Sequence, residues 1–334
     1  WQWSPTNPGE ALALYEDGSV RKVKADLSED VLTPVSLFCC ASWRHDGGAI
    51  LCGTTAGELS ELALSGGSIS KLCDPPDDAS DGASLRLITP LNERFTLLGY
   101  HRGFDDDPYF AVRDGNDNTL QMCGDAFFAL GREDPDGGDD PPPRRFYAVN
   151  IPEWRMAIAC TSDSDQVISF GSRKGGTAQR WQRWVLPDEE GPPAIPPFES
   201  ADGDVFEDQF IVGLALDRTN TERLTLIAGE EKFPPSPVVW GLTSHGSLLA
   251  WTALHKKAPA TNGAYTFMQA PSPLPATKAK AAAPPPAQPP APAPAATAPG
   301  FSFGTAAPAT TAPAAAAGGF SFGAAPATTA AAPP

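Results

Sequence analysis

The sequence predicts an all-β protein: a β-propeller followed by a disordered tail rich in proline and alanine. Residues 1–255 contain short apolar runs between clusters of Gly, Asp, Asn and Pro, and no segment keeps a 3.6-residue period over ten residues. Tryptophan and Asp-Gly marks recur in this part at a spacing near 40 residues. After residue 270 the chain changes to proline and alanine, with Lys278 and Lys280 as its only charges.

The repeat is clearest at three places, each with the pattern strand, tight turn, strand. Trp3 is followed by Asp17-Gly18, Trp43 is followed by Asp46-Gly47, and His245-Gly246 occupies the turn of a third copy. The glycine supplies the positive φ that a tight hairpin needs. A repeat of about 40 residues with these marks is typical of the four-stranded WD40-like propeller blade. An ordinary β-sandwich is the alternative.

About five blades are predicted, over residues 1–24, 35–73, 83–130, 143–187 and 205–255. The chain begins inside a predicted strand, so we expect an N-terminally truncated propeller whose exposed strand edges promote aggregation. Apolar runs predict strands at Leu12–Tyr15, Ile50–Gly53, Phe95–Tyr100, Tyr109–Val112, Phe146–Ile151, Ala157–Cys160, Gln166–Phe170, Phe210–Leu216, Arg223–Ile227 and Val238–Leu242.

Charge argues against nucleic acid as a direct partner. The chain carries a net charge of −16, and the two lysines after residue 270 leave −18 for the part before them. Such a domain repels phosphate backbones and anionic lipid, and it favours a basic protein partner. No run of 18 apolar residues occurs, so we expect no membrane insertion.

Neither a metal site nor an active site is indicated. The six cysteines form no Cys-x-x-Cys pair and several lie in apolar runs, which is typical of free thiols in a reducing compartment. No nucleophile elbow, His-Glu-x-x-His motif or phosphate-binding loop is present. We therefore expect no catalytic residues, no cofactor and no enzyme activity. A propeller hydrolase is the weaker alternative.

The tail contains one motif twice. Gly-Phe-Ser-Phe-Gly occurs at 300–304 and again at 319–323, within segments of almost no charge. Aromatic side chains that cannot be buried in such a tail are typical of sites that a partner grasps, here Phe301, Phe303, Phe320 and Phe322. Phe303 and Phe320 are 17 residues apart, so a flexible linker between them spans roughly 20–25 Å. Two weak sites linked in this way bind with avidity and still release quickly.

These features predict three regions: a propeller over 1–255, a Pro/Ala-rich linker over 256–300 and a disordered FxFG-repeat segment over 301–334. Proline runs in the linker favour an extended spacer. Its short apolar island, Ala264–Met268, either packs back onto the propeller or is incidental.

Seven stretches occur in a fixed order along residues 1–255 and are followed by the two repeats. They are Trp3–Pro8, Ala41–Trp43, Asn150–Trp154, Ala157–Ser162, Arg180–Glu189, Gly213–Asn220 and Glu231–Val239. In this order they resemble the CAN-type nucleoporins of the cytoplasmic face of the nuclear pore. Members of that family have a seven-bladed N-terminal propeller, a linker, a coiled coil and a long Phe-Gly region. This chain has no coiled coil and only two repeats, which indicates a fragment.

The resemblance implies a nuclear pore component that acts in mRNA export at the nuclear envelope. Its propeller would dock a DEAD-box RNA helicase, its Phe-Gly repeats would bind nuclear transport receptors (karyopherins), and other nucleoporins would be neighbours. The alternative is a generic propeller scaffold with an interaction tail, unrelated to the pore. Candidate helicase contacts lie on predicted loops: Asp217, Arg218, Asn220, Asp188, Glu189 and Glu190. The alternative is that these loops are simply solvated surface that keeps the protein soluble.

Overall fold

The computed structural model describes most of the chain up to residue 269. The tail phenylalanines at 301, 303, 320 and 322 and the acidic residues at 188–190 lie outside the described residues. The described ranges are 1–33, 38–65, 67–77, 82–102, 108–125, 144–172, 180–184, 193, 195–199, 206–225, 232–255 and 265–269.

Four antiparallel sheets of four strands each follow one another along the chain. In each of them the strands pair in sequence order, so every sheet is a simple meander. The first sheet contains β1 to β4 (Gln2–Trp3, Glu10–Leu14, Val20–Lys24, Glu29–Thr33), and the second contains β5 to β8 (Phe38–Trp43, Ala49–Thr54, Leu59–Ala63, Ile69–Cys73). The third contains β9 to β12 (Ser84–Pro90, Phe95–His101, Tyr109–Asp114, Leu120–Asp125), and the fourth contains β13 to β16 (Phe146–Ile151, Met156–Thr161, Ile168–Ser172, Trp181–Trp184).

A short hairpin and a fifth sheet complete the described strands. The hairpin pairs β17 and β18 (Phe198–Glu199, Phe206–Glu207), and the fifth sheet contains β19 to β21 (Ile211–Asp217, Val238–Thr243, Leu248–Thr252). The strand predicted at Arg223–Ile227 is wrong over its described part, because 223–225 are irregular. There the Leu224 carbonyl accepts one bond from the Phe233 amide, at 2.8 Å, in place of a ladder.

The sheets are arranged as propeller blades. One strand near the start of each sheet contacts the corresponding strand of the next sheet: β2 contacts β5, β5 contacts β9, β9 contacts β13, and β13 contacts β19. The hydrophobic cores lie between consecutive sheets: one core contains Leu12 and Ile50, the next Leu51 and Leu98, and the third Phe110 and Phe170 (the last pair with centroids 4.9 Å apart). The fourth core joins the fourth sheet to the fifth. The predicted fold class is confirmed, with five blade-like sheets among the described residues.

The hairpin glycines adopt the predicted backbone conformation. Gly18, Gly47, Gly57 and Gly246 have φ between 69° and 82°, the left-handed region in which a Cβ is strained. The predicted blades agree with the sheets to within a few residues, except at the end of the first. That blade continues beyond residue 24 through β4, which is partly exposed and charged and therefore lacks the apolar alternation used to predict strands.

Two outer faces of the array are apolar and exposed. On the first sheet, Trp3 is 71% exposed and Val31 57%. On the fifth sheet, Leu242 and Leu248 point away from the core shared with the fourth sheet and are 44% and 64% exposed. Within the described part of the chain, no helix is long and apolar enough to cross a membrane.

The apolar face of the fifth sheet should drive self-association. We expect Leu242→Ser with Leu248→Ser to lower the average mass in concentrated solution, because both substitutions remove exposed apolar surface from one patch. A matched control replaces Leu27 and Ile69, which are 78% and 44% exposed but lie elsewhere, with serine. Sedimentation over a concentration series would measure the effect, and an equal change in both double variants would contradict this role.

Candidate docking surface on the fourth and fifth blades

Three segments that are distant in sequence meet at one end of the fourth and fifth blades. They are the 3-10 turn Pro152–Trp154, the loop 217–222 after β19, and the short segment 265–269, which we call the strap. The turn ends at Arg155, whose left-handed backbone (φ 51°, ψ 48°) lets its amide donate to the Pro152 carbonyl. This reversal directs Trp154 into the protein, where it is 6% exposed.

The strap packs on Trp154 through an aromatic cluster. The Trp154 ring meets Tyr265 and Phe267 edge-on, with centroids 5.1 and 5.4 Å away, and these two rings stack on each other at 5.7 Å. His255, just after the last strand, lies 5.6 Å from Trp154. Burial raises the pKa of Tyr265. The described part of the apolar island, residues 265–268, therefore packs back onto the propeller, which decides between the two alternatives left open by the sequence.

Arg218 ties the loop to both other segments. Its guanidinium donates to Glu153 Oε1 at 3.0 Å and to the Asn150 carbonyl at 3.2 Å, and it lies 5.7 Å from the centre of the Phe267 ring. Its own carbonyl accepts the Gln269 amide at 2.9 Å. Because the ion pair, the hydrogen bonds to backbone groups and the ring contact converge on one residue, Arg218 acts as a structural clamp.

Asp217 and Asn220 hold the loop itself in shape. Asp217 Oδ1 accepts bonds from the Thr219 hydroxyl and amide, both at 2.7 Å, and these bonds lower the pKa of its carboxyl. Asn220 Nδ2 donates to the Ser236 carbonyl at 3.0 Å, and its Oδ1 accepts the Glu222 amide at 3.0 Å. Asx turns of this kind fix loops because the side chain replaces a backbone partner.

The structure thus brings together three of the six candidate helicase contacts, and each of the three is already bonded within the chain. The other three, Asp188, Glu189 and Glu190, lie outside the described residues. The sequence did not indicate two exposed carboxylates at this surface: Glu153 in the 3-10 turn and Glu222 at the end of the loop. Glu222 has no side-chain bond or ion pair among the described residues, so its charge is available to a partner.

Asn150 links this surface to the third blade. Its Nδ2 donates to the Pro90 and Leu91 carbonyls, at 3.0 and 2.7 Å. The segment Asn150–Trp154 therefore connects three blades and the strap, which gives a physical reason for its distinctive sequence. Among the described residues, no group of three or more His, Cys, Asp or Glu side chains is placed to hold a metal ion.

No family model matches the chain. It is 23% identical over 271 aligned positions to the nuclear pore complex protein Nup214 of Drosophila melanogaster, an alignment that covers 76% of this chain and 14% of that protein. The resemblance to CAN-type nucleoporins is confirmed. This chain spans 14% of the length of the curated relative that it matches.

Solved structures resemble this CAN-like propeller at low sequence identity. A complex of S. cerevisiae Dbp5 bound to Nup159 and Gle1 contains a chain with TM-score 0.49 and 15% identity, covering 73% of this chain and 63% of that one. The N-terminal domain of Nup159 gives the same score and identity, over 72% and 62%. The WD40 domain of Toxoplasma gondii coronin gives a TM-score of 0.41 and 11% identity, over 75% and 54%.

Proposed function

We propose that the chain is part of a nuclear pore component that acts in nucleocytoplasmic transport and mRNA export at the cytoplasmic face of the nuclear envelope. The observation that carries the proposal is the order of features along one chain. A propeller similar to Drosophila Nup214 is followed by two copies of Gly-Phe-Ser-Phe-Gly. A generic propeller scaffold does not explain why such a propeller and Phe-Gly repeats occur in one chain. Staining of the nuclear rim by the tagged chain is the expected result, and diffuse staining would contradict it.

Within this role, the propeller docks a DEAD-box RNA helicase by charge. A net charge of −18 before residue 271 suits a partner whose basic surface also binds RNA, since carboxylates there compete with phosphates. The docking surface carries the exposed carboxylate of Glu222, which has no side-chain partner among the described residues, while Asp217, Arg218 and Asn220 keep the loop in shape. The acidic run 188–190 is the second candidate contact. The role proposed here is binding rather than catalysis.

Charge reversal tests this docking. We expect Asp188, Glu189 and Glu190→Lys, and separately Glu222→Lys, to weaken helicase binding, most strongly at low salt because screening removes the effect. Binding would be measured by calorimetry across a salt series. A suitable control reverses Asp105, Asp106 and Asp107, which changes the net charge as much as the triple variant does. If both triple variants weakened helicase binding equally, the effect would be one of net charge alone, which would contradict a local contact at 188–190.

A substitution at Arg218 provides a second control, because it separates loosening of the strap from loss of a contact with the helicase. Arg218→Lys keeps the charge but loses the forked geometry that joins Glu153 and the Asn150 carbonyl. If Arg218 acts as a clamp, this variant loosens the strap and leaves the salt dependence of helicase binding unchanged. A change in that dependence would place Arg218 in the interface itself.

The two Phe pairs of the tail are proposed as weak, multivalent sites for transport receptors. Burying one phenylalanine contributes roughly 1.5–3 kcal/mol, and ordering the segment offsets part of it. A single contact therefore has a dissociation constant of about 1 mM, which is a binding free energy of about −4 kcal/mol. Weak sites used together suit a receptor that must bind and release quickly.

A further inference from the structure

The second blade contains two adjacent cysteines on the same side of one strand. In a regular strand neighbouring side chains point to opposite faces. In β5 the register shifts: Phe38 lies opposite Thr54 and Cys40 lies opposite Gly53, so Cys39 is an extra residue. Such a β-bulge lets two consecutive side chains share one side of the sheet.

The two thiols converge on one acceptor. Cys39 Sγ lies 2.9 Å and Cys40 Sγ 3.1 Å from the carbonyl oxygen of Leu85, on the neighbouring blade. The neighbouring Cys40 thiol is the main reason why the pKa of Cys39 is lowered. The pair is therefore a preformed dithiol, held in place from both blades.

The dithiol opens into the central cavity. This cavity has a volume of about 670 Å³ and is lined by residues from the inner strands of all five sheets, with both cysteines and Arg86 among them. Arg86 Nε donates to Ser84 Oγ at 2.9 Å, and its positive charge also favours the Cys39 thiolate. Within the described residues, no carboxylate forms an ion pair with Arg86.

The other cysteines are in different surroundings. All six are free thiols. Burial raises the pKa of Cys52 and Cys123 to about 12 and that of Cys73 to about 11, and it raises the pKa of Cys160 further. Thiolates rather than thiols are the nucleophiles, so Cys39 is the one cysteine whose environment favours attack. Cys40, whose pKa burial raises, is placed to follow as the second ligand.

We propose that Cys39 and Cys40 form a dithiol site for trivalent, thiol-seeking ligands, of which organic arsenicals are the defining class. With hydrated phenylarsine oxide, PhAs(OH)₂, two As–O bonds break and two As–S bonds form. The two thiol protons leave with the two hydroxyl groups as two water molecules, and arsenic stays trivalent. The phenyl group extends into the cavity beside Arg86, and the chelate ring contains both sulfur atoms.

Chelation distinguishes this site from a single reactive thiol. Linking two weak contacts increases their joint affinity by on the order of 100-fold, because the second bond forms within the molecule. A chelated arsenical should therefore resist an excess of a monothiol such as 2-mercaptoethanol. It should be removed by 2,3-dimercaptopropanol, which forms a competing chelate.

The test measures adducts of phenylarsine oxide on the whole chain by intact mass spectrometry. We expect one adduct per chain, and loss of its resistance to 2-mercaptoethanol in Cys39→Ser and in Cys40→Ser. Cys52→Ser and Cys160→Ser are matched controls that should keep it. Arg86→Gln should slow adduct formation several-fold and leave the final stoichiometry unchanged.

A second measurement needs no variant and so does not depend on folding. Iodoacetamide labelling of the unaltered chain, followed by peptide mapping, should show Cys39 and Cys40 protected once the arsenical is bound. Protection of Cys52 instead, or an adduct that persists in both serine variants, would overturn the proposal. The same holds if 2-mercaptoethanol alone strips the arsenical from the unaltered chain.

Discussion

Replacing Phe301, Phe303, Phe320 and Phe322 with serine should abolish capture of transport receptors by this chain. Each substitution removes the apolar group that contributes roughly 1.5–3 kcal/mol on burial, and nothing else in the repeats supplies comparable apolar area. Capture by immobilised chain, read as the fraction of karyopherin retained, should fall to the level of empty resin. Changing one pair alone should weaken the apparent affinity for karyopherin by on the order of 100-fold, because avidity is lost.

A control with the same number of new serines separates aromatic loss from added polarity. Ala306, Ala307, Ala324 and Ala325→Ser places four hydroxyls in the same tail and should leave capture intact. Undiminished capture by the phenylalanine variant would refute the receptor-binding role of the repeats. It would leave the helicase-docking proposal standing, since that rests on the propeller.

Replacing Trp154 with alanine should lower the free energy of unfolding by roughly 3–5 kcal/mol. The ring is buried against Tyr265, Phe267 and His255 and joins the strap to the fourth blade. Its Nε1 is buried with no hydrogen-bond partner among the described residues, so packing alone holds it there. Trp154→Phe, which keeps an aromatic ring and drops that nitrogen, should cost much less. Urea unfolding followed by circular dichroism would measure both.

Alkaline titration gives an independent readout of the same contact. Burial raises the pKa of Tyr265, so Trp154→Ala should move that pKa back down towards the ordinary tyrosine value. Trp3→Ala is the matched control, because Trp3 is 71% exposed and its loss should change stability by no more than about 0.5 kcal/mol. If the Tyr265 pKa stayed raised in Trp154→Ala, the strap would be held by something other than the aromatic cluster.

The blades could be predicted from sequence because their signals are local. Asp17-Gly18 and Asp46-Gly47 lie within hairpins, and the positive φ of each glycine is a property of the turn alone. The failures also have local causes. β4 is an outer strand whose exposed, charged residues lack the apolar alternation. At Arg223–Ile227 the apolar residues suggested a strand, but the segment has no partner strand over its described part.

The candidate site was harder to predict because its contacts are distant in sequence. Asp217, Arg218 and Asn220 are charged or polar residues of one loop, and only the bonds of Asp217 to Thr219 are local. The bonds of Arg218 to Glu153 and of Asn220 to the Ser236 carbonyl form only once distant segments meet. Tyr265 and Phe267 formed an apolar island in a Pro-rich linker, and nothing nearby in the sequence indicated Trp154 as their partner. The bulge at Cys39 also depends on pairing with β6, which no apolar pattern reports.

The cores between consecutive sheets have a consequence for how stability is distributed. When each sheet packs only on its neighbours, the free energy of unfolding is approximately the sum of the stability of each sheet and of the interfaces between neighbouring sheets. Among the described residues, the second, third and fourth sheets take part in two such interfaces, whereas the first and fifth take part in one. Local opening should therefore be easiest at the two ends of the array and hardest in the third blade. The strap adds a further interface beside the fifth sheet, through Trp154. The two end sheets therefore differ in stability, and local opening should begin at the first sheet.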